Sequence, residues 1–309
     1  MTARAARVTA HAKVNLILRV LAREESGFHT LETLFARLAL GDTVTVRITD
    51  AGRSVDCDTD IPGPHEANLA YRAALAFAES TGWPSGFAIE IEKRIPIGGG
   101  LGGGSADAGA VLRALAALSP NQVGEAKLLA IAATLGADVP YLTTAAPLAL
   151  AWGRGERMLA LPPLPEREVL LVLPDFSVST AEAYSWLAAA RTAASAPSSN
   201  RTTSERDAAA GRSHPTPQLL SLADLATWTS VASLATNDFE PEVSKRHPEI
   251  AASISALRTA GASVPLMSGS GSTVFGVFAS APPSPLSLPG GARVVHTRTL
   301  TALSPVEIA

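Results

Sequence analysis

Residues 96–106, Pro-Ile-Gly-Gly-Gly-Leu-Gly-Gly-Gly-Ser-Ala, constrain the fold more than any other stretch of the chain. Six of the eleven are glycine. They follow an alternating run, Phe87-Ala88-Ile89-Glu90-Ile91, and precede a pattern in which Ala108, Val111, Leu112 and Leu115 share one helical face. Glycine gives up more backbone entropy on folding than any other residue, so six in one connection need a reason. A strand, a glycine turn and a helix start direct backbone N–H groups and the positive end of a helix dipole at one point. An anion, most often a phosphate, binds at such a point. No Gly-Lys-Ser/Thr follows, so this is not a Walker A loop. It does not form a first βα turn with an acidic residue on the next strand, which sets it apart from a dinucleotide-binding turn.

The 309 residues and 47% hydrophobic content suit two domains with cores of their own. A net charge of −3 offers no basic field for nucleic acid. The single cysteine, Cys57, excludes an internal disulfide and a cysteine-based zinc cluster. No His-x-x-x-His spacing or other ligand set is present, so no protein-held transition metal is expected. No apolar run reaches the length of a membrane span, and the first residues lack a signal h-region. A cytoplasmic protein without a membrane partner is the expectation.

Strands are predicted at residues 7–10, 13–18, 43–48, 87–93, 148–152 and 169–173, and again at 264–267, 273–278 and 292–298. Helices are predicted from 69 to 81, with Asn68 as N-cap, and over 105–118, 123–135, 180–190 and 248–260. Pro162-Pro163-Leu164-Pro165 punctuates the chain and divides a first domain, 1–162, from a second, 163–309. Residues 191–217, rich in Ser, Thr, Ala, Arg and Pro, lose all periodicity and read as a mobile insertion.

Three further clusters carry chemistry. Met267-Ser268-Gly269-Ser270-Gly271-Ser272 is a second glycine turn. It is either an ordinary hairpin or, with the first loop, one half of an enclosure for a triphosphate tail. Asp138, in Gly136-Ala137-Asp138-Val139-Pro140, either caps a helix or accepts a hydroxyl proton during phosphoryl transfer. Lys13, in Ala12-Lys13-Val14-Asn15-Leu16, has apolar neighbours that bury its stem and require a partner for its ammonium. Gly27-Phe28-His29 is either a binding cluster or a plain turn beside Glu24 and Glu25.

Taken in order, these segments resemble the GHMP kinases over nearly the whole chain apart from the insertion. The Lys-Val-Asn-Leu, Gly-Phe-His and Gly-Ala-Asp-Val-Pro segments match the branch whose acceptor is 4-diphosphocytidyl-2-C-methyl-D-erythritol. The resemblance implies an α+β fold of two domains: an N-terminal one like domain 2 of ribosomal protein S5, with a left-handed βαβ unit, and a ferredoxin-like C-terminal one. It implies transfer of the ATP γ-phosphate to the 2-hydroxyl of the methylerythritol, in the non-mevalonate route to isoprenoids. Asp138 and Lys13 match the catalytic pair. Asn15, His29, Asp138 and Thr180 match substrate contacts, and Phe28 and Tyr184 match aromatics that stack on cytosine. Pro96, Gly98, Gly99, Gly100, Leu101, Gly102, Gly103, Gly104 and Ser105 match the triphosphate cradle, joined by Gly269 and Gly271. Asn68, Leu69 and Lys93 fall where the family contacts the base or ribose of ATP. Two departures stand out. Phe28 replaces a frequent tyrosine, and Gly103 and Gly104 replace serines, so Mg2+ is expected to be carried with ATP without a serine ligand there. The partner expected is the small-molecule substrate, on a monomer or homodimer. Alternatives are a mevalonate- or homoserine-type kinase and an inactive nucleotide-binding regulator. Phe28, His29 and Tyr184 speak against the first, and the presence of both Asp138 and Lys13 against the second.

Overall fold

The computed structural model describes residues 4–23, 29–60, 63–195, 221–283, 288 and 291–309. Two long strands form the backbone of the first half. β1 (Ala5–Arg23) and β2 (His29–Thr49) pair antiparallel from Ala5↔Arg47 to Arg23↔His29. Both run well beyond the stretches that alternation predicts. The register shifts between His11 and Lys13, Asn15 and Ile17, and Val20 and Ala22. Each shift breaks the period of two on which the sequence pattern rests, so one strand reads as two short pieces.

β3 (Arg53–Cys57) and β4 (Gly86–Glu92) lie parallel to each other and are joined through α1 (Leu69–Thr81). β4 then pairs antiparallel with β2. Asn68 caps α1 as predicted, its Oδ1 accepting from the Ala70 N–H at 2.9 Å. α2 (Gly103–Leu118) leads to α3 (Glu125–Ala133) and to a single turn, α4 (Val139–Thr143). The hairpin β5 (Leu148–Gly153) and β6 (Arg157–Leu161) extends the other end of β2. Val14, Leu16, Leu34, Val44 and Ile89 of the sheet bury against Phe77, Val111 and Leu115 of the helices.

The second half builds an antiparallel sheet of four strands. Its order is β11 (Arg293–Arg298), β7 (Glu168–Leu173), β10 (Val274–Phe278) and β9 (Val264–Met267). Around it lie α5 (Thr180–Ser195), α6 (Trp228–Leu234), α7 (Glu240–Arg246) and α8 (Pro248–Thr259). Leu170, Val172, Val274 and Phe278 meet Ile254 and Leu257 in a second core.

One sequence expectation needs correction. α5 continues to Ser195, so the first five residues of the expected insertion are helical; residues 196–217 lie outside the described residues. The division at 162/163 is crossed by the sheet. β8 (Thr236–Asn237) pairs parallel with β1 at Ile17 and Leu18, and β12 (Glu307–Ile308) pairs with β1 at Ala6 and Arg7. Two-residue strands carry no periodicity of their own, so only the folded chain reveals them.

Candidate active site

Lys13 is 3% exposed and reaches three acceptors. Its Nζ donates to Asn15 Oδ1 at 2.7 Å and to the Gly100 carbonyl at 3.0 Å, and faces Asp138 Oδ2 at 3.3 Å. The ammonium thus makes two hydrogen bonds and one ion pair. Asn15 Nδ2 donates to Thr33 Oγ1 at 2.8 Å, and Thr33 donates to the Ile17 carbonyl at 2.7 Å. The bulged stretch of β1 thus holds its own polar side chains in a chain of hydrogen bonds. The Lys13 backbone N–H donates to the Leu101 carbonyl at 3.0 Å, tying β1 to the glycine loop.

Asp138 precedes α4 and keeps its carboxylate partly exposed, 31%, while Lys13 is buried. Its side chain makes no capping hydrogen bond to α4. Its side chain instead forms an ion pair with Lys13.

The glycine loop turns through left-handed backbone at Gly100 and Gly102, with φ of +74° and +73°. A Cβ on Gly102 would press on the Lys13 stem and Leu142, and one on Gly100 would run into the Ser268 carbonyl. The loop delivers the chain into α2, whose first N–H groups, at Gly103, Gly104 and Ser105, have no acceptor within the helix. The second glycine turn supports the first. Ser268 Oγ donates to the Gly100 carbonyl at 3.1 Å, and the Thr273 N–H donates to the Gly99 carbonyl at 3.3 Å. Asn237 Nδ2 fixes this turn through the carbonyls of Met267 and Gly269, at 2.7 and 2.8 Å.

These groups border one cavity of about 320 Å³. Lys13, Asn15, Asp138, Gly100, Gly102 and Ser105 line its polar part. Thr180, Tyr184, Phe239, Leu18 and Leu31 line another part. Thr180 Oγ1 and Ser270 Oγ lie 3.0 Å apart, and Tyr184 stands edge-on to Phe239 with ring centres 4.8 Å apart. Burial, and then the nearby Asp138, push the Tyr184 phenol up. Gly269 borders the cavity as well, whereas Gly271 bonds to the Ser268 carbonyl behind it.

Other expected site residues fall elsewhere. Pro96, Gly98 and Gly99 line a separate cleft of about 360 Å³ with Phe176 and Arg293. Asn68 and Leu69 sit at the start of α1, where Asn68 Nδ2 reaches Cys57 Sγ at 3.7 Å. Lys93, expected at the base or ribose of ATP, turns its side chain toward two carboxylates. Its ammonium is buried between Asp42 Oδ2 at 2.5 Å and Asp107 Oδ2 at 2.7 Å. Burial lowers its affinity for a proton, but the two carboxylates outweigh that and hold it above the ordinary lysine value. Asp42 Oδ1 also accepts the N–H groups of Arg94 and Ile95, at 2.5 and 2.7 Å. The cluster anchors the segment that enters the glycine loop. Burial keeps the Asp107 carboxyl well above the usual carboxylate range, against the pull of Lys93. Phe28 and the His29 side chain lie outside the described residues.

Sequence reasoning missed Thr33, Phe35 and Phe239. Phe35 lies under the Lys13 ammonium, 5.7 Å from Nζ to the ring centre, and stacks on Tyr141 at 4.7 Å. Thr33 and Phe35 are alternate residues on one face of β2, a pattern that marks them only as buried.

The pattern of the GHMP kinases N terminal domain matches residues 68–145, and that of the GHMP kinases C terminal matches residues 219–284. The chain is 40% identical over 279 residues to a 4-diphosphocytidyl-2-C-methyl-D-erythritol kinase of Parvibaculum lavamentivorans, covering 88% of each. It is 36% identical over 277 residues to the kinase of the same name from Solibacter usitatus, covering 90% of this chain and 82% of that one. Among solved structures, a 4-(cytidine 5'-diphospho)-2C-methyl-D-erythritol kinase superposes with a TM-score of 0.67 at 34% identity, over 95% of this chain and 98% of the other. A homoserine kinase from Cytophaga hutchinsonii shares the fold, with a TM-score of 0.65 at 20% identity over 99% and 97% of the two chains. With the α+β fold of two packed sheets, the glycine loop at the head of α2 and relatives this similar along most of its length, the chain belongs to the GHMP kinases, in the branch of the 4-diphosphocytidyl-2-C-methyl-D-erythritol kinases.

Proposed function

We propose that the chain transfers the γ-phosphate of ATP to the 2-hydroxyl of 4-diphosphocytidyl-2-C-methyl-D-erythritol, giving the 2-phosphate and ADP in the non-mevalonate route to isoprenoid precursors. The observation that carries the reading is the Lys13–Asp138 ion pair in a cavity bordered by the head of α2. The free N–H groups of α2 and its dipole suit a triphosphate. Asp138 accepts the proton of the substrate hydroxyl. The hydroxyl oxygen bonds to the γ-phosphorus as the bond to the β,γ-bridging oxygen breaks, and ADP leaves with that electron pair. Lys13, hydrogen-bonded to Asn15 and to the Gly100 carbonyl, forms an ion pair with the Asp138 carboxylate and so aims it. A magnesium ion carried with ATP would neutralise part of the phosphate charge beside the head of α2. Asn15 and Thr180 orient the acceptor, and Tyr184 offers a flat face to cytosine.

The test is ADP release with 4-diphosphocytidyl-2-C-methyl-D-erythritol, mevalonate and homoserine as competing acceptors. The cytidine substrate should be turned over with by far the highest kcat/KM, and Asp138→Asn should lower kcat at least about a hundredfold. Preference for mevalonate or homoserine would overturn the substrate. A near-normal kcat in Asp138→Asn would overturn the base.

A further inference from the structure

Arg37, on β2, is 1% exposed and has no carboxylate partner among the described residues. A cation buried without a counter-charge is costly, so what it does hold is informative. Its Nη2 donates to the carbonyls of Tyr141 at 2.7 Å and Thr144 at 3.1 Å, and its Nη1 reaches the His11 carbonyl at 3.5 Å. The guanidinium also lies over the Tyr141 ring, 4.5 Å from its centre. Tyr141 and Thr144 end the single turn α4, and Asp138 begins it.

One turn of helix has no stability of its own, because nucleation fixes several residues for one hydrogen bond. Its last carbonyls lack the N–H donors of a following turn and carry the negative end of its dipole, and only Thr144, through its N–H at 3.0 Å and its Oγ1 at 2.8 Å, closes back on the Tyr141 carbonyl. Arginine satisfies both with charge-assisted bonds. The Leu142 N–H bonds back to the Asp138 carbonyl at 3.0 Å, so the two ends of the turn move as one. Asp138 has no cap bond to the helix and relies on the turn and on Lys13 for its place.

We propose that Arg37 is a positioning residue for phosphoryl transfer: it grips the far end of α4 and so sets where the Asp138 carboxylate meets the acceptor hydroxyl. It touches neither substrate, and it shares a face of β2 with Thr33, which holds Asn15, and Phe35, which lies under Lys13. One strand face therefore seats three polar groups of the site.

The inference rests on the reading of Asp138 as the proton acceptor, so Asp138→Asn is measured beside the Arg37 variants in the full-length enzyme. Arg37→Met, which removes every donor, should lower kcat tenfold or more with both KM values within about twofold of wild type. Arg37→Gln, which keeps one amide donor for the Tyr141 carbonyl, should recover part of that loss. In Arg37→Met, the Leu142 and Thr144 amides should exchange with deuterium faster while the β1 and β2 amides do not. Should Arg37→Met not fold, Arg37→Gln decides by the same kinetic split and exchange pattern. Normal kcat in the folded variants, or a fall in kcat matched by rising KM for both substrates and uniform loss of protection, overturns the proposal. If Asp138→Asn retains its kcat, the base reading fails instead, whatever Arg37 does.

Discussion

At the scale of single residues, chemistry and packing separate cleanly in the two lysines of the site region. Lys13 and Lys93 are both buried and both meet carboxylates, yet Lys13 faces a cavity while Lys93 is enclosed. Enclosure makes Lys93 an internal counter-ion for Asp42 and Asp107. Lys93→Met would leave two carboxylates buried against each other, and breaking a buried pair this way costs about 3–5 kcal/mol. Urea unfolding should record that loss at alkaline pH, and a smaller one near pH 5, where the Asp107 carboxyl, already raised to about 7 with the lysine in place, is protonated and the repulsion is relieved. A stability equal to wild type with a raised KM for ATP would return Lys93 to the nucleotide. The sequence places Lys93 near the glycine loop but not its direction, because the two acids that claim it are 51 residues before and 14 residues after it.

At the scale of elements, the glycine loop is the part most legible in advance. Its chemistry is local: a strand end, left-handed turns and a helix start follow one another along the chain, and the structure places α2 from Gly103. The Lys13–Asp138 pairing could be expected only from the resemblance, since it joins β1 to a turn 125 residues away. The extent of α4 escaped notice, although Asp138 was a possible cap, because five residues with Pro140 near their start show no helical period. Arg37, Phe35 and Tyr141 escaped for another reason: a strand pattern records burial but not what a buried side chain holds. The loop carries a prediction of its own. Gly102 combines φ of +73° with contact to the Lys13 stem, so a methyl there strains the backbone and displaces the lysine together. Gly102→Ala should raise KM for ATP and lower kcat at once, with a melting temperature only a few degrees lower. Gly104→Ala, where a Cβ meets open space, should leave the melting temperature unchanged. Equal kinetics in Gly102→Ala and wild type would separate the loop from the lysine.

At the scale of the whole molecule, the second half of the chain adds strands to the sheet of the first and braces its glycine loop. β8 and β12 come from the second half and pair with β1, and Ser268 from the second glycine turn meets the first at the Gly100 carbonyl. Near this joint Arg37 and Arg113 place their charges beside a buried histidine, His11. His11 is 6% exposed, and neither ring nitrogen finds a hydrogen-bond partner. Burial, then the charges of Arg37 and Arg113, lower its pKa from 6.5 to about 4. The folded state thus keeps His11 neutral, whereas the unfolded chain binds a proton below pH 6.5. Where the unfolded state holds more protons, stability rises with pH. The contribution is complete above about pH 6.5, is lost as pH falls toward 4, and changes no further below that. Its size is on the order of 3 kcal/mol, from the conversion of a pKa difference into free energy. His11→Gln, which cannot titrate, should remove this component. Denaturant unfolding of both proteins from pH 8 to pH 4 would show their stability difference moving in favour of the variant by about that amount as pH falls, on top of the carboxylate titrations they share. Curves that stay parallel throughout would mean that His11 is protonated in the folded protein as readily as in the unfolded chain, and that Arg37 and Arg113 do not keep it neutral.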